Sequence, residues 1–218
     1  ENFEPGDVLI HNDPYRGGCH MPEHAVIKPV FHEGELFGFV ANIGHVAEIG
    51  GMAPGSFAAT ATDVYQEGLR LPLIQIMKSG EYVRDIWKVI LANHRTPTHT
   101  WGDFHAMIGS LHIAERRMEA LLDKYGVEFI NEANEALMDH AERWMREEIR
   151  RIPDGEYYFE DCVEDDGATN DPTWIRLTMV VRDDELIADY SASDPQAKGI
   201  VNCTYGVTAS GTYNGVFH

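Results

Sequence analysis

Two tetrapeptides in the first fifty residues carry the residue types of a metal centre. His20-Met21-Pro22-Glu23 and His45-Val46-Ala47-Glu48 each set an imidazole three residues ahead of a carboxylate. Gly17-Gly18 precedes the first and Gly50-Gly51 follows the second. A divalent first-row ion takes neutral imidazole nitrogens and carboxylate oxygens, and a catalytic site keeps three protein donors with one position open. His20, Glu23 and His45 supply such a set. An ion held there would acidify a water or polarise a carbonyl oxygen. The glycines let the backbone bend and a substrate approach, and Pro22 stiffens the turn between His20 and Glu23. A bland alternative stands beside this. His-x-x-Glu strings arise by chance in a chain with 11 histidines. The spacing is also less specific than HExxH, which fixes both imidazoles on one helical face.

Two further carboxylates are candidate catalytic residues. Asp13, in His11-Asn12-Asp13-Pro14, follows a buried strand at the kind of strand end where site residues collect. It could act as a general base or orient an imidazole, or simply start a turn before Pro14. Glu67, in Gln66-Glu67-Gly68-Leu69-Arg70-Leu71-Pro72, could reach the same cleft. Its alternative is a solvated carboxylate paired with Arg70.

Other chemistries find no support. Ser56 lies outside any GxSxG elbow. The chain has neither GxxxxGK[ST] nor GxGxxG, so a nucleotide is expected elsewhere or on another chain. His94, His99, His105 and His112 read as solvent-facing or structural. His105 and His112 are too far apart along a helix to chelate one ion. Cys19, Cys162 and Cys203 form no CxxC pair, which argues against a disulfide framework or a thiolate zinc site.

The elements that must position these residues fall into three textures. Residues 1–100 carry short apolar runs between turn-rich loops. Val8-Leu9-Ile10, Ala25-Val26-Ile27 and residues 36–43 read as buried strands, with His32-Glu33-Gly34-Glu35 as a hairpin turn. Residues 85–93 form a plausible short helix. Within residues 101–152, two amphipathic helices meet at Tyr125-Gly126, where Gly126 suits a C-cap, and Pro153 stops the second. Residues 153–218 return to strands at 156–161, 175–181 and 186–190, the last two joined as an antiparallel hairpin. The tail from Asn202 to Gly215 reads as a packed loop. The expected fold is mixed α/β or α+β, with the sheet order open.

The bulk numbers bound the partners. The chain has 218 residues, 44% of them apolar, which is enough for a real core. A formal charge of −19 repels phosphates and anionic headgroups, so nucleic acid and membrane are poor partners. The acidity also suits an ordinary cytoplasmic enzyme. No apolar run approaches the ~20 residues of a membrane helix. Both ends stop without terminal signals, as expected for a piece of a longer subunit.

The motifs match a known pattern. Gly6-Asp7-Val8, Asn12-Asp13-Pro14-Tyr15, Gly17-Gly18, His20 and Pro22-Glu23 resemble the GDV-NDPY-GG-H-P-D signature of the hydantoinase B family. That family includes part of the 5-oxoprolinases and the large alpha-type subunits of acetone and acetophenone carboxylases. Gly44-His45-Val46-Ala47-Glu48-Ile49-Gly50-Gly51 is similar to its H-x-x-D-x-GG stretch, and Gln66 to Pro72 to its EGLRIPP segment. Leu91-Ala92-Asn93-His94-Arg95-Thr96-Pro97, Gly102-Asp103, Asp194-Pro195-Gln196 and Val201-Asn202-Cys203 match further pieces in order. Glu23 and Glu48 stand where Asp is usual, and Cys19, standing where Thr is common, is expected to pack.

The resemblance implies that His20, Glu23 and His45 bind a divalent metal, Zn or Mn. It implies a hetero-oligomer with a hydantoinase A-like subunit or domain that binds ATP and phosphorylates a lactam, imide or ketone-derived substrate. The expected activity is ATP-dependent hydrolysis of cyclic amide C–N bonds. Ketone carboxylation is the alternative within the family. A non-catalytic assembly segment is the alternative from another class.

Overall fold

Apolar alternation in the first third of the chain is realised as one antiparallel sheet. The structure is a computed structural model that describes residues 3–217. Its strands are β1 (Val8–His11), β2 (Glu23–His32), β3 (Glu35–His45), β4 (Ile74–Lys78) and β5 (Glu81–Tyr82). They lie in the order β3-β2-β1-β4-β5. The short buried β1 is central, pairing Leu9 with Ile27 on one side and Gln75 on the other. β2 and β3 form the predicted hairpin, closing at His32 and Glu35. Glu33 and Gly34 both take positive φ, 50° and 88°. That geometry matches the natural twist of a two-residue hairpin.

One face of this sheet is covered by helices α1 (Arg84–Ala92) and α2 (Pro97–Tyr125). Phe104, Ile108 and Leu111 recur at helical spacing along α2 and are buried with Val8, Ile10, Val26, Ile76, Trp87 and Ile90 in the core. Polar ties fix the docking of α2. Asn42 of β3 donates to the Met107 carbonyl at 2.8 Å, and buried Lys28 of β2 pairs with Glu115 at 3.1 Å. α2 ends as predicted, with Gly126 at φ 80° following its last turn. The other face of the hairpin leaves Phe39 and Ile43 exposed.

The chain divides into two compact units, residues 1–126 with 203–218, and residues 127–202. The second unit holds α3 (Val127–Ile149) and an antiparallel sheet of β6 (Gly155–Val163), β7 (Thr173–Arg182) and β8 (Glu185–Asp189), in that order. Asp184, in the β7–β8 turn, receives Arg146 of α3 at 3.3 Å and also Arg150, just past that helix. The observed architecture is α+β. The two helices of the central region fall in different units, because α2 packs on the N-terminal sheet and α3 belongs with the C-terminal one.

Two local expectations change. The tail is a helix, α4 (Tyr205–Val216), where a loop was expected. Its Gly, Thr and Ser content argued against a helix, yet propensity is a weak prior. Thr208 and Thr212 turn their hydroxyls back onto the Thr204 and Thr208 carbonyls, which satisfies those groups within the helix. β4 and β5 were not anticipated. Among the described residues, no helix is long and apolar enough to cross a membrane.

Candidate functional site

The site is built at the end of the β2–β3 hairpin, on the end away from its turn. β3 finishes at His45, and β2 begins at Glu23, its direct strand partner. Neighbouring Cβ atoms in such a pair stand about 4.5–5.5 Å apart. His20 enters from the loop before β2, where the Glu23 amide donates to the His20 carbonyl at 3.1 Å. That tight turn folds His20 back over the pair. Its ring centre lies 5.0 Å from that of His45, with the planes 62° apart. His20 and His45 thus lie ring to ring, with Glu23 in register beside His45.

The electrostatics favour lone pairs over charge. Burial, then the neighbouring His45, push the His20 imidazole below its ordinary pKa, against an opposing pull from Glu23. Nδ1 of His20 is buried without a hydrogen-bond partner. Desolvation and the Glu23 carboxylate push the Cys19 thiol upward. Cys19 was expected to pack and is instead exposed beside that acid. Its loop follows Gly17, which takes a left-handed backbone conformation.

Of the expected donors, the two imidazoles have a spacing that suits a shared divalent ion. With Zn–N bonds of about 2.0–2.1 Å, two imidazoles sharing one ion hold their ring centres roughly 5 Å apart. Neutral imidazole is the ligating form, and the orphaned Nδ1 of His20 accounts for one donor. Among the described residues, no group of three or more His, Cys, Asp or Glu side chains is arranged so that it could hold a metal ion. The fit therefore rests on the imidazole pair, with Glu23 as the carboxylate beside it.

His24 is the neighbour that does not join. Alternation along β2 turns it into the core, where it meets Phe104 at 5.0 Å. Burial above all drives its pKa down to about 3, so it stays a neutral core histidine. His94 is likewise buried and structural, with Nδ1 2.6 Å from the Ile90 carbonyl. His11 closes β1 opposite Ala25, and its Nδ1 is also buried and unpartnered.

Asp13 and Glu67 stand on flanking loops. Neither makes a hydrogen bond or ion pair to His20, Glu23 or His45. Asp13 accepts from the Tyr15 amide at 3.0 Å and caps the short 3-10 turn Pro14–Arg16. Its carbonyl also accepts from Arg16 and Gly18. Its observed work is to shape the loop leading to His20. Glu67 follows the 3-10 turn Val64–Gln66, and burial raises its carboxyl pKa. Arg70 lies over the Tyr65 ring. The Glu67 backbone presses on the diglycine loop so closely that a Cβ on Gly51 would meet the Glu67 carbonyl oxygen at 2.5 Å. Gly51 also needs its φ of 80°.

Several positioning residues escaped the sequence reading. Asn12 is fully buried and donates to the carbonyls of Met21 and Leu69 at 2.7 and 2.9 Å, while its Oδ1 accepts from Leu71 at 2.6 Å. It bolts the His20 loop and the Glu67 loop to the end of β1. Arg95 clasps the loop after His45. It donates to Glu48 at 2.6 Å and to the carbonyls of Gly50, Gly51 and Ala53. Burial alone would raise the Glu48 pKa, but amide hydrogen bonds from Arg95 and Gly50, with the Arg95 guanidinium, take it below the ordinary value. Glu48 therefore works as a strut. Phe57 ends the same loop, its ring nearly parallel to His45 at 9° and 5.9 Å. The signal for Arg95 and Asn12 was their place inside the matched motifs. Phe57 had none.

Comparison with known proteins identifies the family of the chain. The family model described as hydantoinase B/oxoprolinase matches residues 1–218. The B component of a putative D-/L-hydantoinase from Pseudomonas sp. (strain NS671) is 35% identical over 90% of this chain and 34% of its own length. The beta subunit of the caprolactamase of Pseudomonas jessenii is 35% identical over 99% of the chain and 37% of its own length. The crystal structure of that ATP-dependent caprolactamase superposes with a TM-score of 0.92 at 32% identity, covering 100% of this chain and 37% of the other. The acetophenone carboxylase delta subunit of Aromatoleum aromaticum is 27% identical over 93% of the chain and 30% of its length. The chain thus spans about a third of the length of these relatives.

Proposed function

Since this chain belongs to the hydantoinase B/oxoprolinase family, we propose that it is the site-bearing part of an ATP-dependent enzyme that opens cyclic amide C–N bonds. The observation that carries the proposal is the juxtaposition of His20 and His45, rings 5.0 Å apart, with Glu23 as the strand partner of His45. Relatives named as components of a hydantoinase and a caprolactamase, each similar over at least 90% of this chain, support the reaction class.

His20, Glu23 and His45 would hold a divalent ion, Zn or Mn. Bound there, it supplies Lewis acidity toward a carbonyl or phosphoryl oxygen and toward water. The remaining work belongs to the chain. The lowered pKa of His20 keeps its imidazole neutral near pH 7. The turn capped by Asp13 sets the path of the loop carrying His20. Glu67, its pKa raised by burial, is suited to exchange a proton with water or with the leaving nitrogen. Asn12 and Arg95 hold the loops that bear these groups.

In the proposed reaction ATP is held by a partner subunit, which phosphorylates the amide oxygen. Water adds to the activated carbon, the C–N bond breaks and the nitrogen takes a proton. A second water takes the phosphoryl group, so a lactam yields an amino acid with ADP and phosphate. The assembly is a hetero-oligomer with a hydantoinase A-like ATP-binding subunit. A second reading, ketone carboxylation, is favoured by the acetophenone carboxylase relative.

Substrate profiling tests the proposal. The subunit purified with its ATP-binding partner is given ATP with hydantoin, 5-oxoproline, caprolactam, or acetophenone plus bicarbonate. ATP-dependent ring opening is expected. A new carboxylate from acetophenone, with every cyclic amide untouched, would replace the reading with the second. No product from any of them would contradict both.

A further inference from the structure

The loop clasped by Arg95 ends on a ring that ion binding does not require. Phe57 is 65% exposed, yet it is not a loose surface residue. Its ring runs parallel to His45 within 9° and lies 6.2 Å from His20. Ser56, just before it, is buried and takes a left-handed φ of 58°, which costs energy for a residue with a Cβ. The Ser56 hydroxyl offsets that cost by accepting from the Ile49 amide at 2.8 Å and donating to the Gly50 carbonyl at 3.1 Å. The backbone is thus fixed by three carbonyl bonds from Arg95 and two bonds to Ser56, and it delivers a bare aromatic face beside the imidazole pair.

The surroundings define what that face would receive. Ile43, two residues before His45 on the same side of β3, is also 65% exposed and extends the apolar surface. The side chain in register beside the pair is the acidic residue Glu23. Arg95, which reaches the loop from the segment between α1 and α2, is committed to Glu48 and the loop carbonyls. A hydrocarbon ring gains contact with Phe57 and Ile43, whereas a substrate carboxylate meets an acid and an apolar wall.

We propose that Phe57 is a specificity-determining residue that takes the apolar body of the substrate while the reacting amide faces His20 and His45. The site then prefers a lactam with a hydrocarbon ring over one bearing a carboxylate. This rests on the hydrolase reading given above for the same site.

The test uses the complete complex with its ATP-binding partner, with caprolactam and 5-oxoproline as probes. Wild type, Phe57→Ala and Phe57→Leu are compared for KM, kcat, calorimetric binding and metal content. Wild type is expected to favour caprolactam. Phe57→Ala raises its KM and dissociation constant tenfold or more, changes those for 5-oxoproline less than twofold and leaves metal content unaltered. Phe57→Leu restores most of the loss. Equal effects on both probes, no effect, a wild-type preference for 5-oxoproline, or binding of neither probe would overturn the proposal. So would loss of metal in Phe57→Ala, since the ring would then be a prop for His45. The two readings fail separately. Binding of caprolactam that depends on Phe57 but gives no ring opening removes the hydrolase reading alone, and ring opening indifferent to Phe57 removes this one alone.

Discussion

The His20 ring stands 5.0 Å from the His45 ring although one comes from a loop and the other from the end of a strand. Burial first, and the nearby His45 second, hold the His20 pKa below its ordinary value. Its lone pair is then free for a shared ion. The loops that hold the two residues in place yield the first two predictions.

Asn12 is the bolt between those loops. Asn12→Ala leaves the Met21 and Leu69 carbonyls and the Leu71 amide without their partner. Buried groups stripped of hydrogen bonds cost about 1–3 kcal/mol each, and partial relaxation brings the expected total to roughly 2–4 kcal/mol. Urea unfolding of the variant checks this, and an unchanged midpoint would contradict the assigned role.

Arg95 is expected to resist conservative replacement. Lysine has no planar fork to serve Glu48 and three carbonyls together. Because Arg95 is partly exposed while Glu48 is nearly buried, the expected cost of Arg95→Lys is about 1–3 kcal/mol, below that of breaking a fully buried pair. Residues 50–57 should also be cut faster by protease in the variant.

Acid should destabilise the fold through His94. Burial lowers its pKa against opposing effects from the Ile90 carbonyl and Glu48. An unfolded histidine protonates near pH 6.5, so below about that pH the unfolded chain binds more protons than the folded one. The stability contributed is complete above about pH 6.5 and is lost as pH falls toward the lower folded value. Tm measured from about pH 7.5 down to about pH 5 should therefore drop more for wild type than for His94→Gln.

Asp166 anchors the second unit. Its carboxylate accepts from Ala168, Thr169, Lys198 and Gly199, and these bonds hold its pKa far below the ordinary carboxylate range, against desolvation. Asp166→Asn turns one accepting oxygen into a donor facing amides. A lower Tm is expected in thermal unfolding, and an unchanged one would mean that the turn tolerates the loss.

The sequence made the proposed donors legible because their chemistry is local. His20, Glu23 and His45 sit in short motifs bounded by glycines, and the Glu33-Gly34 hairpin aligns two of them. The break between α2 and α3 followed from apolar periodicity and Gly126, while α2 starts at Pro97, ahead of the residue 101 expected. The sheet order was not legible, since β1 takes β4 as its second partner from residues 74–78, far along the chain. Asn12, Arg95 and Phe57 act on groups brought near only by folding; the motifs containing Asn12 and Arg95 marked their positions but not their partners, and Phe57 had no mark at all. Tail helix α4 was hidden by small polar residues that usually mark loops.

Metal affinity of the complex is the most direct test of the central claim. Zn(II) titration of the chelator-treated protein, with wild type compared to His20→Ala, His45→Ala and Glu23→Gln, should give about one tight ion per wild-type chain. Each substitution should weaken binding by at least about a hundredfold, beyond the roughly 10–100-fold typical of groups that merely support a ligand. Glu23→Asp should retain the ion. Wild-type affinity in the two alanine variants, with their folds intact, would contradict the account.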